Sequence, residues 1–479
     1  MILYNGRIYT NSPQLPLVSA LLIRGEYIVA AGDDHSILAE ANNDERIDLK
    51  GKTVLPGLVD SHIHLVNYSC FLQQVDCETK TLQECIHRVE ERVRKLKRGE
   101  WLLGHGWNHN AWKEGYGSKT DLDRVCPENP VFLTHKALDS AWVNTAALRI
   151  CNITAETPDP EGGKLLRDTS GEPTGILLEG AVRLVEKYIP SPTVNEIAEM
   201  ILNAQSKLWQ YGITGLHDFD GSSCFAALQS LEERDTLRLR IVKGLPLEIM
   251  DHAIALGLRT GFGSSYLQIG AVKLFSDGAL GAQTAAMLEP YQGTANHMGM
   301  LLLNSEQIIS IGKKAVANGL SLAIHAIGDR ANREALNALR EIRDFEKANQ
   351  IPPMRHRVEH VQCLSSQDVD RLAAFNIVAS MQPLHATSDI DIAEQYLGAR
   401  CQHAYSWNTL LQHGARLIFG SDAPVEPPNP FLGIHAAVTR RRPDGTPGIE
   451  GWHPEQRISL GQALLSYTHA PAYAANREN

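Results

Sequence analysis

The sequence predicts an α/β fold: a (β/α)8, or TIM, barrel with a small amino-terminal β-sandwich layer and a large insertion after the first barrel strand. Three observations predict it. The chain has 479 residues, too many for one small core and enough for a barrel of about 250 residues with additions. Beyond residue 54, short apolar strands alternate with amphipathic helices, as parallel strands joined by helical crossovers require. Eight such strands can be picked out, and eight parallel strands close into a barrel without free edges.

The elements follow in order. Ile2-Leu3-Tyr4, a turn at Asn5-Gly6, Arg7-Ile8-Tyr9-Thr10, then Ala20 to Ile23 and Tyr27 to Ala30 around Arg24-Gly25-Glu26 read as short strands, so residues 1–54 form the β layer. Residues 55–479 form the barrel, with strands at Val54 to Asp60, Ile213 to Asp218, Leu239 to Gly244, Ile269 to Phe275, Leu320 to His325, His356 to His360, Ile377 to Met381 and Arg416 to Gly420. The stretch 66–212 is far too long for one connection and is expected to be an insertion over the barrel mouth. Inside it, Leu82 to Lys97 and Val194 to Tyr211 read as helices, the first with a solvated charged face.

Composition narrows the class of function. Hydrophobic residues at 43% and charged residues at 21% describe a packed globular chain. Forty-five basic against fifty-five acidic residues give −10, which argues against nucleic acid as a partner. The start of the chain lacks the features of a secretory signal, and no apolar run is long enough to span a bilayer. Eight cysteines without a Cys-x-x-Cys pair read as reduced thiols. The expectation is a cytoplasmic protein acting on a small molecule, away from membranes, with room for a homo-oligomer.

The chemistry concentrates at the strand ends. In Asp60-Ser61-His62-Ile63-His64 the two histidines stand two apart and share one strand face, so both imidazoles can aim at one ion. Alone, His-x-His is weak. Lys273, His325, His360 and Asp422 each close another strand, and the carboxyl ends of barrel strands converge on one mouth. Histidine nitrogens with a carboxylate suit Zn²⁺, and also Mn²⁺, Fe²⁺ or Co²⁺. Structural alternatives stand beside other candidates. Asp329 can cap a helix with the apolar stripe Ala331, Ala335, Leu339 and Ile342; Glu359 should point away from His360 into an ion pair; Arg440-Arg441-Arg442 reads as a solvated loop. His217 ends the second strand, and Trp107 sits among aromatics of the insertion, so both are weaker candidates for substrate binding.

These stretches together resemble the amidohydrolase superfamily, in particular its YtcJ-like branch with the N-substituted formamide deformylases. The matching segments are P-G-L-V-D-S-H-I-H at 56 to 64, V-K-L-F-S-D-G-A-L-G at 272 to 281, H-A-I-G-D-R-A at 325 to 331, V-E-H at 358 to 360 and G-S-D-A-P-V at 420 to 425. Weaker matches are H-G-W-N-H-N-A-W at 105 to 112, V-N-T-A-A-L at 143 to 148 and G-I-L-L-E at 175 to 179. The resemblance implies that His62 and His64 hold one divalent ion, that His325 and His360 hold a second, and that Lys273, carboxylated by CO2, bridges them. It also implies that Asp422 binds the first ion and shuttles the proton. The implied reaction is hydrolysis of a carbon–nitrogen bond in a non-peptide amide, N-formyl or cyclic amide substrate by a metal-activated hydroxide, with one or two ions, zinc above all. A hydrolytic deaminase and a catalytically silent scaffold are the alternatives. Two departures stand out: Asp139 occupies a place where the family often has histidine, and the chain stops at Asn479 before the G-x-x-x-x-G-x-x-A-D segment that returns to the β layer. The β layer is therefore expected to lack its carboxyl-terminal strands, through truncation or abbreviation.

Overall fold

A computed structural model describes residues 1–40, 43–136 and 139–478. The chain divides into two compact units, Met1–Tyr68 with Ile201–Asn479, and Ser69–Met200.

The first unit contains the barrel. Its eight strands are Leu58–Ile63, Ile213–Asp218, Arg240–Pro246, Leu267–Phe275, Leu322–Ala326, Arg357–His360, Val378–Met381 and Arg416–Phe419, all parallel and neighbours in chain order. The first expected strand begins four residues late, because Leu55-Pro56-Gly57 runs as irregular chain. Closure is local: the Asp422 N–H donates to the His62 carbonyl at 2.7 Å and the His64 N–H to the Ala423 carbonyl at 3.0 Å. Asp60 reinforces it, accepting from the Ser421 N–H at 2.9 Å and the Ser421 hydroxyl at 2.5 Å. The seam thus ties together the strand ends that carry His62, His64 and Asp422.

Helical crossovers cover the strands. Asn304 and Gln307 form a capping box that starts the helix Ser305–Ala317. The helix Asp329–Ala348 buries Ala331, Ala335, Leu339 and Ile342, the expected stripe, but Gly328 is its N-cap. Asp329 instead accepts the Leu288 N–H at 2.8 Å, so it anchors a neighbouring loop. Arg440 corrects the solvated-loop reading. It is buried, donates to the carbonyls of Trp452 and Tyr405, and lies 4.3 Å from the Trp407 ring centroid. Stacking on indole and two carbonyl acceptors compensate a guanidinium in the core.

The expected β layer is present as two sheets, one of Ile2–Tyr4, Ala20–Arg24, Tyr27–Gly32 and Arg46–Asp48, the other of Arg7–Tyr9, Leu17–Val18 and Thr53–Val54. Asn5 takes the left-handed conformation that its turn with Gly6 needs, with φ of 56°.

The second unit has a mixed six-stranded sheet, Val75–Asp76, Leu102–Trp107, Val131–His135, Ser140–Val143, Gly163–Arg167 and Pro173–Glu179, in a stretch where the sequence pattern shows only helices and loop. Trp107, Trp112 and Trp142 belong to its core. The helix expected over Leu82 to Lys97 runs from Leu82 to Val93, and its charges pair on the surface, Arg88 with Glu84 and Arg94 with Glu90. Among the described residues no helix is long and apolar enough to cross a membrane, and Cys77, Cys85, Cys126, Cys151, Cys224, Cys363 and Cys401 are thiols outside any disulfide.

Candidate metal centre

Five strand ends meet at the mouth. Donor atoms of His62, His360 and Asp422 lie within 4.8 Å of one another. His64 Nε2 is 3.3 Å and His62 Nε2 3.6 Å from Asp422 Oδ1. The His325 ring is 4.6 Å from that of His360, centroid to centroid. Lys273 Nζ stands 4.6 Å from the centroid of Phe219, whose ring also lies 4.6 Å from that of His62. His360 and Asp422 have φ of 73° and 60°. Left-handed backbone at non-glycine residues costs on the order of 1–3 kcal/mol and is retained where a side chain must be re-aimed.

Each imidazole is oriented from behind. Glu359 Oε2 holds His62 Nδ1 at 2.6 Å, Asp220 Oδ1 holds His64 Nδ1 at 3.1 Å, and Gln382 Oε1 holds His360 Nδ1 at 2.8 Å. An Nδ1–H engaged in this way leaves Nε2 as the lone-pair donor for a cation. His325 is the exception, because its Nε2 is 2.9 Å from the Gly278 carbonyl, and Nδ1 is its remaining donor.

Protonation agrees with that reading. Burial, followed by the Lys273 charge, lowers His62 and His325 to about 4 each. Burial and the neighbouring imidazoles hold His360 well below its ordinary value. Burial works to raise Asp422, but His62, His64 and His360 outweigh it and hold the carboxyl well below the usual range. Neutral imidazoles beside an anionic carboxylate make a donor set that fits a divalent cation. Burial lowers His64 too, but the carboxylates of Asp220 and Asp422 win and raise it to about 9, so a cation there displaces a proton. Lys273 is brought down to about 8, chiefly by burial. It makes no ion pair with Asp277, the partner an ordinary lysine here would have; Asp277 instead accepts the backbone N–H groups of Ile327, Gly328 and Ala286.

The residues around the centre were not all foreseen. Glu359 makes the expected structural ion pair, with Arg357, and in addition holds His62 Nδ1 at 2.6 Å, a contact that strand alternation alone does not point to. Arg357 neutralises Glu359 and also donates to the Ser61 carbonyl and the Ser380 hydroxyl. His217 lies behind this pair, with Nδ1 2.7 Å from Arg357, so it reaches the centre only through Arg357 and Glu359. Trp107 is wholly buried in the second unit and its indole N–H donates to the Leu133 carbonyl at 2.8 Å, which makes it a packing residue. His385, on the helix Pro383–Ser388, was missed although it lies four residues beyond the seventh strand; its Nε2 is 3.9 Å from Asp422 Oδ2. A second acidic group, Asp218, Asp220 and Cys224, is closed by the buried Lys243, 3.0 Å from Asp218.

This arrangement, a parallel eight-stranded barrel with histidines and a carboxylate at the carboxyl ends, defines a metal-dependent hydrolase of the amidohydrolase kind. The chain belongs to the amidohydrolase family, whose model matches residues 45–479. It is 32% identical to the putative amidohydrolase YtcJ of Bacillus subtilis over 98% of this chain and 89% of that protein. It is 28% identical to the N-substituted formamide deformylase of Arthrobacter pascens over 100% and 90% of the two chains. Among solved structures, an uncharacterized metal-dependent hydrolase from Pyrococcus furiosus matches with a TM-score of 0.81 and 31% identity, covering 100% of this chain and 95% of the other.

Proposed function

We propose that this protein hydrolyses a non-peptide carbon–nitrogen bond in an amide, N-formyl or cyclic amide substrate, using one or two divalent ions, with zinc the first choice. The observation that carries the reading is the convergence of His62, His360 and Asp422 within 4.8 Å at the end of three different strands. Similarity to a formamide deformylase supports the N-formyl class. His62, His64 and Asp422 would hold one ion, His325 and His360 a second. A bound divalent ion supplies Lewis acidity and makes water acidic enough to attack at neutral pH.

The chain's own groups do the rest. Asp422, anionic at neutral pH, takes a proton from the attacking water and returns it to the departing nitrogen. Lys273 would bridge two ions as a carbamate, formed when its neutral amine adds CO2 and releases a proton. Burial favours that neutral amine. An ammonium has no lone pair for a cation, whereas a carbamate presents two oxygens.

The test combines metal analysis of the purified protein with a screen of N-formyl amines, N-acyl amino acids and cyclic ureas, Zn²⁺, Mn²⁺ and Co²⁺ being supplied in turn. Bound metal and turnover of one of these classes are expected. Metal-free protein that gains no activity with any ion would leave only a scaffold role, and release of ammonia from a ring amine without amide cleavage would move the reading to a deaminase.

A further inference from the structure

The segment Gln382-Pro383-Leu384-His385 follows the seventh barrel strand directly. Its two polar side chains each keep one buried nitrogen without a protein hydrogen-bond partner, Gln382 Nε2 and His385 Nε2. Gln382 is already committed at its other end to His360. The His385 ring lies nearly parallel to that of His360, at 17° and 6.1 Å between centroids. This stacking leaves Nε2 facing Asp422 Oδ2 across 3.9 Å. The distance is too long for a hydrogen bond, but one nitrogen or oxygen atom can sit about 2.8 Å from both partners in such a gap. Both side chains are 12% exposed, so the gap is screened from bulk water. A buried polar atom without a partner costs roughly 1–3 kcal/mol. Here that atom is aimed at the carboxylate that exchanges the proton.

We propose that His385 is a catalytic residue that accepts a hydrogen bond from the N–H of the scissile amide and so turns the lone pair of that nitrogen toward Asp422. The inference rests on the hydrolase reading above. In the step concerned, the carbon–nitrogen bond breaks and its electron pair goes to nitrogen. The nitrogen takes the proton that Asp422 removed from the attacking water, while its original hydrogen stays bonded to nitrogen and hydrogen-bonded to His385 Nε2. His385 itself neither gains nor loses a proton. The site would therefore select substrates whose scissile nitrogen carries a hydrogen, such as N-monosubstituted formamides, over N,N-disubstituted ones.

The probes are N-butylformamide and N-butyl-N-methylformamide, with metal-loaded wild type, His385→Ala and His385→Gln. His385→Ala should keep the wild-type metal content and lose about 100-fold in kcat on N-butylformamide, with KM changed less than about threefold. His385→Gln, whose carboxamide oxygen can accept the same hydrogen bond, should recover about tenfold of that loss. On the N-methyl probe the Ala variant should differ from wild type by less than about threefold, because there is no N–H to lose. Equal losses on both probes, near-wild-type kcat in the Ala variant, or loss of bound metal in either variant would overturn the assignment while leaving the hydrolase reading intact. Wild type inactive on every class of amide in the panel would overturn that reading, and this inference with it.

Discussion

Asp422 has Nε2 of His62 and His64 on one oxygen and His385 facing the other, so its charge is shared between holding a cation and moving a proton. Asp422→Asn keeps the shape but cannot take up a proton, and should lower kcat by about 100-fold or more with the fold intact and much of the metal retained. Near-wild-type turnover would remove it from the proton path. Glu359 acts one step further back. Burial works to raise its carboxyl, but Arg357 and the His62 ring outweigh that and hold it well below the usual range. Glu359→Gln should weaken metal binding by about 10- to 100-fold, because the carboxamide is a poorer partner for His62 Nδ1 and leaves Arg357 buried without its counter-charge. Competition against a chelator reads this without reference to turnover; unchanged affinity would mean that His62 is held by packing alone.

At the scale of the strand, the sequence is legible where one rule dominates. Leu267–Phe275 is buried at every position except Phe275, so its apolar run announces a barrel strand and its end locates Lys273. His62, His64, His325, His360 and Asp422 could be gathered for the same reason: carboxyl ends of barrel strands converge. His385 and Gln382 lie beyond a strand end, where no periodicity points to them, and the contact of Glu359 with His62 joins strands far apart in the sequence, which local pattern cannot reveal. The sheet of the second unit was hidden because its short strands carry histidines, tryptophans and glycines rather than β-branched runs. The end of the last strand also sets a demanding small-residue position. A Cβ at Gly420 would stand 2.4 Å from the His62 backbone nitrogen and 2.8 Å from Asp60 Oδ1, both part of the seam that closes the barrel. Backbone cannot yield as a side-chain tip does, so Gly420→Ala should cost about 1–3 kcal/mol and reduce bound metal, read by thermal melting and metal analysis. A variant with unchanged melting would show that the seam can open by a few tenths of an ångström at no cost. Lys273→Ala should abolish two-ion stoichiometry and turnover, and formate or acetate should partly restore both by taking the bridging place. Full occupancy by two ions without added acid would exclude the carbamate bridge.

For the molecule as a whole, the buried histidines set how stability responds to acid. His62 and His325 are lowered to about 4, and His217, His356 and His360 are also lowered, in every case chiefly by burial. A histidine whose folded pKa is depressed contributes stability that is present above the unfolded value of about 6.5 and is lost as pH falls toward the folded value. Asp60 and Asp277 act in the opposite sense. Burial raises each to about 7, so they favour the folded state in acid and lose that contribution as pH rises from the unfolded value of 3.8 through 7. Between the unfolded and folded values the histidines take up protons on unfolding and the two carboxyls release them, and the histidines are the larger set. The metal-free protein should therefore melt at progressively lower temperature from pH 6.5 to 4. The metal-loaded protein should fall more steeply, since protons then compete with the cation for the same imidazole nitrogens. Thermal melts with and without a chelator across this range test both limbs. A metal-free melting temperature that is flat or rising toward pH 4 would mean that the carboxyls outweigh the histidines, and parallel curves with and without chelator would mean that no cation is held by these imidazoles.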